Sequence, residues 1–146
     1  MAEPGDAYVN SLTQERIVFV RTAAQTGGEL LEMENVWTRP DHRTAPHVHP
    51  RMEETWEVLS GRAGFRIGDE ELHAGPGEAV VAAPGVPHHG WNEGGGETVL
   101  RITMRPALRW EDFVMRMFEA PERTAGLLPE FRDEIAPARS GRPRAP

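Results

Sequence analysis

Glycine and proline divide the first 106 residues into segments that are too short for long helices. The chain has 15 glycines and 13 prolines among its 146 residues. Many of the segments between them are rich in β-branched and apolar residues, and strands of about four to eight residues bounded by turn residues are typical of all-β domains. The pattern therefore predicts an all-β fold for residues 1–106.

Alternation of apolar and polar residues identifies single strands and their buried faces, because successive side chains of a strand point to opposite sides. In 31–37 one face is mostly apolar and the other mostly acidic, and in 97–104 the inward face would carry Leu100, Ile102 and Met104. Further strands are predicted at 16–23, 55–60, 63–68 and 78–83, with a hairpin turn at 68–71 and a loop at 93–96.

Residues 107–146 follow a helical pattern instead. Apolar residues recur at helical spacing in the set Trp110, Phe113, Val114, Met117 and Phe118, which predicts an amphipathic helix over 108–118 that Pro121 ends. A second short helix is predicted with Pro129 in its first turn. We expect this C-terminal extension to pack on the same domain, where it would cover the predicted strands or a partner subunit.

Composition excludes several kinds of chemistry. Cysteine is absent, so disulfides and thiolate sites are excluded, and lysine is absent, so a protein Schiff base is excluded too. The net charge of -7 argues against nucleic-acid binding. The one basic concentration is a tail with Arg139, Arg142 and Arg144, which we expect to be solvated. With no apolar run of membrane length and no secretion signal, we expect no membrane association and a cytoplasmic protein.

Three histidines and a glutamate suggest a metal site. His47 and His49 are two residues apart, so on a strand both rings point to one side. Glu54 shares its strand face with Trp56, and a buried carboxylate there requires a proton, a hydrogen-bond partner or a cation. With His88 they form a nitrogen and oxygen donor set that suits Fe, Mn, Ni, Cu or Zn better than Ca or Mg. His42 and His73 lie in polar turn contexts, and we expect both to be solvated.

These residues fall into two motifs, and through them the chain resembles a small single-domain cupin. The first cupin motif, G-x5-H-x-H-x3,4-E-x6-G, is matched at His47, His49, Glu54 and Gly61. The second, G-x5-P-x-G-x2-H-x3-N, is matched at the positions Gly77, Gly85, His88 and Asn92. Asp41 replaces the first glycine of one motif and Ala83 replaces the proline of the other.

The resemblance covers about residues 15–106 and implies a jelly-roll β-barrel with one divalent transition metal per chain. It implies His47, His49, Glu54 and His88 as ligands, with Glu53 as the alternative carboxylate. It also implies a homodimer, because cupins commonly associate in pairs. Residues predicted by strand phase or motif position to line a pocket beside the metal are Met33, Asn35, Trp37, Trp56, Phe65, Asn92 and Met104.

Two classes of function are compatible with such a site. In the first, the protein is an enzyme, either an oxygenase such as a dioxygenase or a Lewis-acid cyclase or isomerase, acting on a small, partly apolar substrate with oxygen donors. In the second, the domain holds a metal-chelated ligand without converting it. The sequence favours the enzyme but names no substrate.

Overall fold

Two antiparallel sheets face each other in the computed structural model, which describes residues 2–138. The predicted basic tail, with Arg139, Arg142 and Arg144, lies outside these described residues. Every strand pair within them is antiparallel, as in a jelly roll. The prediction of an all-β jelly roll with a C-terminal helical extension is therefore confirmed.

The first sheet is built around the longest strands of the described chain. Its spatial order is β1-β2-β3-β10-β5-β8. The strands are β1 (Ala7–Val9), β2 (Arg16–Arg21), β3 (Leu31–Trp37), β5 (Glu53–Ser60), β8 (Ala79–Ala82) and β10 (Thr98–Arg105).

The second sheet covers the first, and its spatial order is β11-β4-β9-β6-β7. Its strands are β4 (His47–Val48), β6 (Ala63–Ile67), β7 (Glu70–Ala74), β9 (His88–Asn92) and β11 (Ala136–Pro137). The predicted hairpin turn lies between β6 and β7, and the predicted glycine loop lies between β9 and β10.

The core lies between the two sheets, and the predicted strand faces are buried there. In β3, Leu31 and Met33 are buried, and the intervening glutamates are half-buried on the other face. In β10 the predicted inward residues Leu100, Ile102 and Met104 are buried as well. Aromatic contacts join the sheets, such as that between Trp56 of β5 and Phe65 of β6, whose ring centroids are 5.1 Å apart. Strand alternation thus predicted the core side of both strands correctly.

The predicted amphipathic helix is present as α2 (Trp110–Glu119) and starts two residues later than expected. Its apolar face packs into the chain's own core, where Phe113 and Trp110 are buried, whereas Met117 is half-buried. Phe113 stacks on Trp110 and meets Phe131 edge to face. This face is therefore covered from within the chain.

The second helix was predicted at the wrong place. A 3-10 turn (Pro121–Arg123) is followed by the single-turn helix α3 (Thr124–Leu127), so Pro129 follows the helix and does not start it. Another single turn, α1 (Ala23–Thr26), follows β2. No helix in residues 2–138 has both the length and the apolar character needed to cross a membrane. The division into 1–106 and 107–146 remains a prediction.

Candidate metal centre

Strand pairing brings together histidines that are far apart in sequence. β4 pairs with β9 so that His47 lies directly opposite His88. His49 follows β4 immediately, and Glu54 lies on β5 of the facing sheet. The four predicted ligands thus meet between the two sheets, where His49, Glu54 and His88 are buried and His47 is half-buried.

Backbone carbonyls orient the three imidazole rings in the same way. Nδ1 of His47 lies 2.7 Å from the carbonyl oxygen of Ala45, and Nδ1 of His88 lies 3.0 Å from that of Val86. Nδ1 of His49 lies 2.8 Å from the carbonyl oxygen of Glu134. Since a carbonyl only accepts hydrogen bonds, each Nδ1 carries the proton and donates it. Each Nε2 is then directed towards the centre of the cluster, as metal-binding histidines require.

Glu54 approaches two of these Nε2 atoms. Its Oε1 lies 2.9 Å from Nε2 of His49 and 3.2 Å from Nε2 of His88. A carboxylate oxygen and an unprotonated imidazole nitrogen are both acceptors, so an added proton or a cation must separate them. Apart from this approach to Glu54, the buried Nε2 of His88 has no hydrogen-bond partner among the described residues. Both observations point to a positive charge at this position.

The charge states also suit a cation. Burial would raise the pKa of Glu54, but hydrogen bonds and opposite charge from His49 and His88 hold the pKa well below its usual range. Burial, reinforced by the neighbouring histidines, lowers the pKa of His47 to about 4. An ionised carboxylate and a neutral imidazole are the forms that bind divalent metals. Burial would lower the pKa of His88, but the hydrogen bond and charge of Glu54 raise it, so a metal would have to displace a proton from this imidazole.

The size of the cluster fits one ion. Its four donor atoms all lie within 4.8 Å of one another. Two ligands at about 2.1 Å from a metal are at most about 4.2 Å apart, so small side-chain movements would surround an ion. Three nitrogens and one oxygen suit a first-row divalent metal and would leave about two positions of an octahedron open.

Glycine turns hold the ligand loops together. Gly85 adopts φ +80, and its backbone N–H donates to the carbonyl oxygen of His49 at 2.9 Å, which ties the turn before His88 to another ligand. Ala83, which replaces the motif proline, begins this turn by accepting from the N–H of Val86. Asp41, the other departure from the cupin motifs, also lies in a turn. The chain therefore still forms a turn at both positions, although the motif proline and glycine are replaced.

Neighbouring residues separate cleanly into ligand and non-ligand positions. Glu53 alternates with Glu54 on β5 and lies outside the cluster, so the structure favours Glu54 as the carboxylate. His89 faces away from His88 and packs beside Trp91, with ring centroids 5.5 Å apart. His73 is exposed, as expected.

A cavity of about 360 Å³ opens beside the four candidate metal ligands. Four of the seven predicted pocket residues line this cavity, namely Met33, Asn35, Trp37 and Trp56. The candidate ligands His47 and Glu54 line it as well. The wall is mainly apolar and includes Ile102 of β10 and Phe113 of α2. Such a volume is typical of a small-molecule site.

Phe65, Met104 and Asn92 do not line this cavity. Phe65 and Met104 are fully buried behind the wall. Asn92 caps the glycine loop instead: its Oδ1 accepts from the N–H of Gly94 at 3.0 Å, and its Nδ2 donates to the carbonyl of Gly96 at 2.8 Å. Strand phase shows which side chains point inward, but it does not show whether other atoms lie between them and the cavity.

His42 was expected to be solvated, and this expectation is wrong. Only 6% of it is exposed, because its ring stacks on Trp37 with a centroid distance of 5.0 Å and lines the cavity. Glu15 also lines the cavity and was not considered from the sequence. It lies in the turn before β2, where a glutamate next to a strand usually indicates solvent, so no local signal could have identified it.

The family comparison agrees with the site geometry. The protein-family model described as the cupin domain matches residues 37–104 of the sequence, which include all four candidate ligands. The chain carries a cupin domain. Among curated proteins, none matches the chain.

Solved structures share this cupin fold. A Klebsiella pneumoniae protein with a double-stranded β-helix domain is 25% identical over 69% of this chain and 85% of its own, with a TM-score of 0.57. KdgF from Halomonas is 16% identical over 71% of this chain and 91% of its own, with a TM-score of 0.62. A predicted oxalate decarboxylase from Thermotoga maritima is 14% identical over 63% of this chain and 80% of its own, with a TM-score of 0.59. At identities of 14% and 16% the likeness concerns the fold alone.

Proposed function

We propose that this cupin is a mononuclear metal-dependent enzyme that acts on a small, partly apolar substrate with oxygen donors. The observation that carries the proposal is the opening of the His47, His49, Glu54 and His88 cluster onto a mainly apolar cavity. A divalent transition metal bound there would supply Lewis-acid activation of a substrate oxygen or a site for dioxygen. The reaction is then that of a cyclase or isomerase, or that of an oxygenase.

The chain's own residues would bind and orient the substrate. Trp56 and Met33 offer flat or flexible apolar surface, which suits a phenol, an enol or a β-dicarbonyl compound better than a sugar. At the other end of the cavity, Glu15 and His42 are groups that can hold a proton. The cavity thus combines apolar contact with a few polar groups, as small-molecule sites usually do.

The C-terminal extension would exclude water from the site. Trp110 of α2 packs edge to face on the ligand His49, with a centroid distance of 4.8 Å. β11 pairs with β4 at His47, and the carbonyl of Glu134 orients His49. Residues beyond 106 therefore shape the metal centre as well as its cover.

Metal analysis tests the ligand set first. Protein purified without added metal should contain one divalent transition metal per chain. His88→Ala should lose this metal, whereas His89→Ala is the matched control because its ring lies on the other face of the same strand. Full metal occupancy in a His47→Ala, His49→Ala double variant would refute the assignment.

Turnover assays test catalysis. The apoprotein would be loaded separately with Fe(II), Zn(II) and Mn(II) and offered panels of phenols, β-dicarbonyl compounds and sugar nucleotides. Oxygen uptake and product mass distinguish an oxygenase from a cyclase or isomerase. Turnover of sugar nucleotides by metal-free protein would contradict the proposal, and tight binding without turnover by every metal form would replace it with a non-catalytic binding module.

A further inference from the structure

The far end of the cavity contains a polar cluster that metal binding does not use, in which Asn35 and His42 are buried and Glu15 is half-buried. Glu15 accepts a hydrogen bond from Nδ2 of Asn35, with 2.8 Å between Nδ2 and Oε2. Burial raises the pKa of Glu15 to about 7, and the charge of Glu54 adds to this effect. Near neutral pH, Glu15 can therefore both donate and accept.

Two atoms of this polar end have no partner in the described chain. Oδ1 of Asn35 and Nε2 of His42 are both buried without a hydrogen bond among residues 2–138. The two side chains are only 5% and 6% exposed, and both line the cavity. An unsatisfied buried polar atom is unfavourable, because it has lost its hydrogen bonds to water without gaining others, so a ligand that satisfies both atoms would be favoured.

Trp37 connects the members of this cluster. His42 stacks on the ring face of Trp37 at an interplanar angle of 19°, and Trp37 lines the cavity together with Glu15. Burial lowers the pKa of His42, so its ring is neutral near pH 7. A neutral imidazole and an amide oxygen carry no net charge, so they suit a neutral hydrogen-bonding group.

The sheet register separates this cluster from the metal centre. Asn35 of β3 is level with Leu100 of β10, whereas Glu54 of β5 is level with Met104 of the same strand. The two positions are therefore about 13 Å apart along the strands and about 10 Å apart across them, measured between backbones. The cavity volume of about 360 Å³ is sufficient for a molecule of about two fused rings, and apolar residues such as Met33 line the wall.

We propose that Glu15, Asn35 and His42 form a second polar subsite that binds a hydroxyl group at the end of the substrate remote from the metal. The substrate is then an elongated, flat apolar molecule, such as a two-ring aromatic, with chelating oxygens at one end and a hydroxyl at the other. The hydroxyl donates to Asn35 or His42 and accepts from Glu15. This inference rests on the proposed function for the metal end alone.

A matched ligand pair tests the subsite by calorimetry. Both 2,3-dihydroxynaphthalene and 2,3,6-trihydroxynaphthalene carry the chelating pair, and only the second carries a remote hydroxyl. On the Zn(II)-loaded protein we expect the triol to bind about five- to tenfold more tightly. In Asn35→Leu and in His42→Phe, which keeps a ring stacked on Trp37, this advantage should fall below about twofold while the diol binds as before.

The outcomes separate this inference from the proposed function. An equal affinity of diol and triol for the wild type, or an advantage that both variants keep, would overturn the subsite although chelation at the metal remains. A triol advantage that depends on Asn35 and His42, together with a diol affinity that is the same in the metal-free and the Zn(II)-loaded protein, would support the subsite and contradict the metal-dependent function. No binding of either compound in any form would overturn both.

Discussion

Replacing Glu15 with glutamine should stabilise the metal-free protein, and the gain should increase with pH. Glu15 is ionised in the unfolded chain above a pKa of 4.5, whereas burial in the folded protein raises the pKa to about 7. Between these values the folded state binds the extra proton. Wild-type stability therefore falls as pH rises through this window and levels off above it. Glutamine is neutral at every pH and can still accept from Asn35.

The magnitude follows from the separation of the two pKa values. They differ by about 7 − 4.5 = 2.5, and each unit corresponds to about 1.36 kcal/mol, so the full effect is at most roughly 3 kcal/mol, because Glu15 is half-buried and solvent screens part of it. Below pH 4.5 both states of the wild type are protonated and the variant should gain almost nothing. At pH 6 the gain should be about 2 kcal/mol, and at pH 8 it should reach the full value.

Urea denaturation of the apoprotein at pH 5, 6, 7 and 8 measures this gain as a difference between variant and wild type. Taking the difference cancels the titration of the histidine cluster, which both proteins share. Glu57→Gln is the matched control, because Glu57 is exposed on β5 and its replacement should leave the pH dependence unchanged. A Glu15→Gln effect that is the same at pH 5 and pH 8 would refute the reasoning.

Three further predictions concern the stability and the oligomeric state of the protein. Phe113→Ala should lower the free energy of unfolding by about 3–5 kcal/mol in urea denaturation, because its fully buried ring joins α2 to the core, and no change would contradict that packing. Gly61→Ala should also be destabilising by more than about 1 kcal/mol in the same assay, since φ is +85 and an added Cβ would lie 2.4 Å from Oγ1 of Thr98, whereas Gly95→Ala, with open space around the glycine, should be mild. Sedimentation should give the mass of a homodimer, as the cupin resemblance implies. Since the α2 face is covered within the chain, we expect the dimer to form through another surface. A monomer at all protein concentrations would disprove the homodimer prediction.

The sequence alone was sufficient to predict the strand faces and most of the candidate metal-binding cluster. A strand alternates side chains with a period of two, so His47 and His49 had to share a side, and Glu54 had to share one with Trp56. The helical spacing of Trp110 and Phe113 likewise predicted which face of α2 is buried. These are local properties, because backbone geometry determines them whatever the rest of the chain does.

Only the tertiary structure decided which residues surround the candidate metal site and which line the cavity. The placement of His88 opposite His47 depends on pairing between β4 and β9, and the orientation of His49 depends on a carbonyl 85 positions away in the chain. Glu15 and His42 lie in turns, where no periodicity indicates a direction, and the packing of the surrounding core brings both to the cavity wall. Long-range pairing and loop conformation result from many weak contacts acting together, and no short stretch of sequence contains them.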